Sequence, residues 1–430
     1  MTTIRQITSV MLAAVLLSTS LRGQEIAGIS LEAAIARALE REPTLRASRT
    51  DIDVALGQRQ QAGLRPNPTL MFERREEPMG TDSATTVGVE WPLDLFRRQA
   101  RVRTAEHELA VTRLAVADRE RLLAADVRVQ YGMAAAAARD VAIADELVAI
   151  LQRQLDLARA RASEGAIPPL ERDMLDVEVR RMQAERVRAS GRADVALLQL
   201  KPLLGMEPGE ALMLRESLEA LVEQAASGTS GTTGLVSAVV EPRADVRVAD
   251  AQVTLAEVKV DQARREGRMD VSLFGTYMRM DAGFPQLGVN PAGVFERVRG
   301  RFNYVAAGAA LSLPLFNRNQ GQVAAAQAER SGAEARRDAA ALAARSEVAA
   351  AQARDARARE ALALYSDGAR ALARQNLDVV RQTFDLGRAT LFDVLTEHRR
   401  YLDFEQSYTA ALREAWEARA ALKGALGETK

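Results

Sequence analysis

The chain has 430 residues, 58 basic side chains balanced by 58 acidic ones, and no Cys. The zero formal charge argues against a nucleic-acid binder, which needs a basic excess to displace counterions, and the missing Cys excludes disulfide frames, thiolate metal sites, thiol nucleophiles and lipid-modified Cys. An aromatic share of 4% is low for two or three well-filled globular domains, whereas dense Ala, Leu, Val, Arg and Glu is the composition of long helices.

Residues 1–23 read as a secretory signal peptide: Arg5 supplies a positive charge, 7–17 is apolar, and Ser18, Thr19 and Ser20 offer small residues for cleavage. That apolar run is too short to span a bilayer as a helix, and no later run reaches about 18 uncharged apolar residues. The expected product is an exported chain without an N-terminal lipid. Ser30 is placed to cap a helix over 31–40, Pro43 interrupts it, and a second run covers 44–64 before Pro66 and Pro68. Strands are expected at 69–75 and 84–91. In the second, Thr85, Val87, Val89 and Trp91 alternate with Thr86, Gly88 and Glu90, the period of a strand.

From 100 to 162 there is no Pro, and only Gly132 interrupts. Sixty such residues form a rod on the order of 90 Å long. Val141, Val148, Leu155 and Ala162 recur every seven residues, with Ala144, Leu151 and Ala158 between them, as on the seam of a left-handed coiled coil. Further strands are expected at 271–280 and 301–313. The interval 281–300 holds Gly283, Gly288, Gly293, Pro285 and Pro291 and is expected to be a long exposed loop. Seven-residue stripes return at Tyr365, Leu372, Val379 and Leu386, and at Val394, Tyr401, Tyr408, Ala415 and Leu422.

The chain is written twice. Gly165 and Gly387, Gly205 and Gly427, and Pro92 and Pro314 are each 222 residues apart. Upstream the offset shrinks to 202, between Phe72 and Phe274, and the difference lies between the strands of the second half. The expected organisation is a signal peptide at 1–23, a first repeat at 24–205, a linker at 206–240 and a second repeat at 241–430. Residues 227–234 of the linker are Ser, Gly and Thr only. Each repeat reads helix, strand, strand, long helix, long helix.

Four strands per chain cannot close a barrel, since bacterial barrels start at about eight, and an open edge in lipid leaves backbone groups unpaired at several kcal/mol each. Three copies would supply twelve strands and no edge, and would close the rods into a hollow cylinder. The alternative is a periplasmic sheet that never enters lipid.

Four stretches resemble the TolC-type outer membrane efflux family over nearly the whole mature length. These are Ser30-Leu31-Glu32-Ala33-Ala34 with Glu42-Pro43; Leu311-Ser312-Leu313-Pro314-Leu315-Phe316; Asp385-Leu386-Gly387-Arg388-Ala389-Thr390-Leu391-Phe392-Asp393-Val394-Leu395; and Ala425-Leu426-Gly427. Ala62-Gly63-Leu64-Arg65-Pro66-Asn67-Pro68 is similar to the CzcC-like branch that serves heavy-metal exporters. The resemblance implies a mainly α fold with a transmembrane β-barrel: a homotrimeric duct with a twelve-stranded barrel in outer-membrane lipid and an α-helical barrel in the periplasm. It implies a periplasmic adaptor, an inner-membrane pump of the resistance-nodulation-division type, no cofactor and no covalent chemistry.

The same resemblance places the periplasmic aperture at two helix turns. Asp393 and its counterpart Glu171 would form carboxylate rings, Phe384 an apolar constriction, and Arg388 a partner for a carboxylate or for the adaptor. A second acidic ring found in some members falls on Thr396 and is missing. Gly165, Ala166, Ile167, Gly387, Ala389, Thr390 and Leu391 would meet the adaptor. Plainer readings stand beside these: Asp393 as a helix-start residue favoured by the dipole, and Phe384 as seam packing. His107 and His398 have no second His nearby, so no zinc-type cluster is expected. Competing assignments are a periplasmic coiled-coil adaptor or scaffold, and a type I protein secretion duct.

Overall fold

A computed structural model describes residues 28–78, 82–227, 243–366 and 368–428. The signal segment and residues 228–240 of the linker lie outside the described residues. In chain order the elements are α1 (Leu31–Arg41), α2 (Pro43–Ala62), β1 (Thr69–Glu76), β2 (Ser83–Pro92), α3 (Arg98–Ser163), α4 (Pro169–Leu203), α5 (Leu218–Ser227), α6 (Ala244–Glu266), β3 (Asp270–Val289), β4 (Phe295–Ser312), α7 (Gln320–Ser366), α8 (Ala369–Asp385) and α9 (Leu391–Leu426). No described helix is long and apolar enough to cross a membrane.

Local chemistry explains the helix ends. Ser30 Oγ accepts from the Ala33 amide at 3.2 Å and starts α1. Pro43 is the first residue of α2, where a missing N–H costs nothing. Gly132 does not interrupt the 66-residue α3. A Cβ there would lie 2.0 Å from Trp416 Cδ1, so the glycine seats the indole, whose Nε1 donates to the Arg128 carbonyl at 2.9 Å.

The chain forms two compact units, and each draws on both repeats. The described residues within 44–119 and 241–346 form one unit, which contains the sheet; those within 1–43, 120–240 and 347–430 form the other, which is helical. In the sheet unit the order is β1-β2-β3-β4, antiparallel throughout. The two repeats therefore meet at the β2–β3 ladder, where Val87 faces Tyr277 and Ser83 faces Asp281.

The expected loop over 281–300 is corrected. Both strands run on, with Asp281 opposite Arg301, Gly283 opposite Arg299 and Leu287 opposite Arg297. Pro285, which has no N–H to give a ladder, sits in the irregularity between Gly283 and Leu287. The reversal itself is short: the Asn290 amide donates to the Val294 carbonyl at 3.0 Å, and Gly293 takes φ +79°.

In the helical unit α3, α4, α8 and α9 share one apolar cluster that includes Leu151, Leu155, Leu175, Leu377, Val394 and Tyr401. The α9 stripe at Val394, Tyr401, Tyr408, Ala415 and Leu422 is wholly buried. Two expected seams differ from this. On α3 the expected Ala144, Leu151, Leu155 and Ala158 are buried, joined by Ile143 and Leu147, while the expected Val141, Val148 and Ala162 flank them half-buried. On α8 the inward face carries Leu377 and Phe384, and Leu372, Val379 and Leu386 stand 60%, 51% and 72% exposed.

Candidate functional site

Two helix turns join α3 to α4 and α8 to α9, and they share one backbone design. Gly165 and Gly387 take φ +74° and +71°, a region in which a Cβ would crowd the following carbonyl. After each glycine the chain closes a Schellman cap: Ala166 N–H donates to the Arg161 carbonyl and Arg388 N–H to the Thr383 carbonyl, both at 2.9 Å. Gly205 and Gly427 end α4 and α9 in the same way, through Met206 to Lys201 at 2.9 Å and Glu428 to Lys423 at 3.0 Å. Arg161 Nη2 also donates to the Asp385 carbonyl at 2.9 Å, tying one turn to the other.

The returning helices start differently. Thr390 and Asp393 make a capping box: Thr390 N–H and Oγ1 donate to Asp393 Oδ2 at 2.9 and 2.6 Å, and Asp393 N–H donates to Thr390 Oγ1 at 3.3 Å. These bonds from Thr390 hold the Asp393 carboxyl below its ordinary range. The equivalent N-cap on α4 is Pro168, which has no side-chain cap bond, and Glu171 has no ion pair among the described residues.

Phe384 is buried in its own chain, in the cluster with Leu377, Leu391 and Val394. Leu391 is buried too, and Ile167 and Ala389 are partly buried against that cluster, whereas Gly165, Ala166, Gly387, Arg388 and Thr390 are exposed. Thr396 is half-buried. Leu170 and Phe392 were not among the expected residues. They stand 67% and 70% exposed, one residue after the start of each returning helix. Carrying the 222-residue offset from Glu171 and Asp393 back by one position would have found them.

Deeper in the helical unit lie two polar groups. Glu405, 1% exposed, accepts from Arg139 Nη2 at 2.7 Å and Arg370 Nε at 2.9 Å, and both guanidinium groups sit over the Tyr408 ring at 4.9 and 5.3 Å. Burial works to raise the Glu405 pKa, but hydrogen bonds and charge from Arg370 and Arg139 hold it below the ordinary range. His398 Nε2 lies 3.2 Å from Gln154 Oε1, and its buried Nδ1 has no partner among the described residues. Burial, then the Arg381 charge, pushes its pKa down to about 4, against the opposing pull of Glu178.

The two faces of the sheet differ in chemistry. Register puts Leu70, Phe72, Val87, Val89, Trp91, Leu273, Tyr277, Val305 and Leu311 on one face. From Leu311 to Arg301 this apolar band is about ten residues long, roughly 25 Å once the tilt is counted. Among the described residues the other face mixes polar Thr69, Thr86, Ser272, Thr276 and Ser312 with apolar Met71, Phe274, Met278, Met280, Phe302 and Tyr304, and its charges are acidic Glu73, Glu90, Asp270 and Glu296 against a lone basic Arg75. Among the described residues no ladder covers the outer edges of β1 and β4.

No curated protein sequence matches the chain at a significant level. Among solved structures, CusC aligns with TM-score 0.72 and 17% identity over 93% of both chains. The CmeC outer membrane channel of Campylobacter jejuni aligns with TM-score 0.71 and 13% identity over 93% of this chain and 86% of that one. The outer membrane protein VceC of Vibrio cholerae aligns with TM-score 0.64 and 20% identity over 92% and 96%. At such identities these likenesses establish the fold. The outer membrane efflux protein profile matches residues 34–206 and 235–428, one match to each repeat. With both repeats covered, the chain belongs to the outer membrane efflux protein family and is the outer-membrane channel component of an efflux system.

Proposed function

We propose that three copies assemble into a passive duct, β4 of each pairing with β1 of the next to close twelve strands. The carrying observation is the open sheet: among the described residues the outer edges of β1 and β4 are unpaired, and such edges cannot persist alone in hydrocarbon. The exposed stripe of Leu372, Val379 and Leu386 supports the same assembly, since a seven-residue apolar repeat left open on one chain calls for a neighbouring helix. Channels of this family are trimers that act with a periplasmic adaptor and an inner-membrane pump, and they span the outer membrane and extend into the periplasm. In this reading the pump is of the resistance-nodulation-division type, and the chain, which has no Cys, carries no N-terminal lipid.

The apolar face of the sheet meets lipid, and the acidic face lines the lumen. Threefold copying makes rings of Glu171 and Asp393 at the periplasmic end, where carboxylates attract cations. Glu171 is the freer of the two, because Asp393 is engaged in its cap. Phe384 braces the second turn from within, while Arg388 and the exposed backbone of both turns face the adaptor. An acidic lumen and the 62–68 segment favour heavy-metal cations, with small toxic compounds as further cargo.

Single-channel recording on the reconstituted assembly tests this. Trimers should conduct with cation preference, and Glu171→Gln should reduce that preference more than Asp393→Asn does. A monomeric particle without conductance would remove the duct; equal responses of the two variants would remove the ranking.

A further inference from the structure

Beyond the apolar band, the lipid-side face of the sheet changes character. Toward its hairpin end it carries Arg74, Arg279, Arg297, Arg299 and Arg301 against Glu76 and Asp281 among the described ladder residues, with Asp82 at the turn engaged by the Gly283 amide at 2.7 Å. Arg297, Arg299 and Arg301 alternate along β4, so all three side chains leave the same face, successive ones about 7 Å apart. Arg301 Nε pairs with Asp281 at 2.9 Å, Arg279 lies 3.9 Å from the same carboxylate, and Arg74 pairs with Glu76. Arg297 and Arg299 are exposed and have no acidic partner among the described residues. Glu296 and Glu73 lie on the opposite face, so the basic excess is one-sided.

We propose that this cluster docks the phosphate groups of a phosphorylated glycolipid in the outer leaflet. The inference rests on the barrel reading, which sets the apolar band in lipid. The helices attach at the other ends of the strands, so on the periplasmic side, and the hairpin ends then reach the outer headgroup layer. A basic patch directly above an apolar band matches a molecule with an anionic head and acyl chains, whereas a soluble anion would have no use for the band. Arginine suits this role because its planar fork gives two parallel hydrogen bonds to phosphate oxygens. Asp281 orients Arg301 beside the two uncompensated guanidinium groups, which make the strongest contacts.

The test uses full-length protein extracted from outer membranes, after fractionation and crosslinking have established location and trimer; failure at that stage would sink the duct, not this inference alone. The dissociation temperature of the trimer in detergent is then followed with added bis-phosphorylated lipid A, with its dephosphorylated form, and with inorganic phosphate. Bis-phosphorylated lipid A should raise it, and the other two should not. Arg297→Gln with Arg299→Gln should lose most of that shift, Arg297→Lys with Arg299→Lys should keep part of it, and Arg75→Gln on the opposite face should keep all of it. An equal shift from the dephosphorylated lipid or from inorganic phosphate, or a full shift in the double Gln variant, would overturn the assignment. Should the Gln variant fail to assemble, the Lys variant decides: a response no smaller than the parent's overturns the role of the arginine forks.

Discussion

The hairpin of α3 and α4 and the hairpin of α8 and α9 come from one duplicated template, yet they spend their side chains differently. Their caps coincide: Gly165 and Gly387 turn the chain through the same Schellman geometry, as do Gly205 and Gly427 at the far ends. Their interiors do not. Where the second hairpin buries Glu405, the first has exposed Gln183; where the second buries His398, the first has half-buried Asp176, paired with Arg180 and Arg159. The outgoing rod of the first hairpin runs unbroken, whereas the second breaks between α7 and α8, with Gly368 at φ +80°. Duplication kept what the backbone needs to reverse direction, whereas Glu405 and His398 meet no buried polar residue at the equivalent positions of the first hairpin.

The largest difference should appear at Glu405. Glu405→Gln takes the shared carboxylate from Arg139 and Arg370, and because Arg139 keeps Glu219 and Arg370 is exposed the loss should sit at the low end for a broken buried pair, about 3 kcal/mol. Gln183→Ala, on the exposed equivalent, should stay within about 0.5 kcal/mol. Denaturant titration of both variants checks this; similar losses would mean that the hairpins are not energetically distinct.

Next comes His398. An unfolded imidazole titrates near 6.5 and this one near 4, so between those values the unfolded chain binds the extra proton. Stability should therefore fall as pH drops through that window, by about 3 kcal/mol in all. His398→Gln should flatten this dependence. A slope unchanged by the substitution would place the acid sensitivity elsewhere.

The smallest effect should be shared. Gly165→Ala and Gly387→Ala each force a Cβ into the left-handed region, at about 1–2 kcal/mol apiece. Equal losses would sharpen the view that the turns are one design; a clear inequality would break it.

Much of this was legible before any coordinates. The offset of 222 placed both turns, period-two alternation placed β2, and the Val394 to Leu422 stripe was buried as its spacing implied. The misreadings have physical causes. Glycines and prolines at 281–300 looked like breakers, but a twisted ladder tolerates glycine and can move a proline into an irregularity. The Leu372 to Leu386 stripe marks a seam, yet a seven-residue repeat says only that a helix face wants a neighbour, and not whether that neighbour belongs to the same chain. Leu170 and Phe392 escaped because an isolated apolar residue just past a turn has no periodic signal.

The sequence by itself determined the elements, their duplication and the glycine-led reversals, because propensity, periodicity and positive φ are local demands that each segment states alone. Only the tertiary structure decided how the alternating faces of the four strands line up across one sheet, and that Glu405 and His398 are buried. Those outcomes depend on register and on packing between segments hundreds of residues apart, where a one-residue slip would exchange the two faces of the sheet.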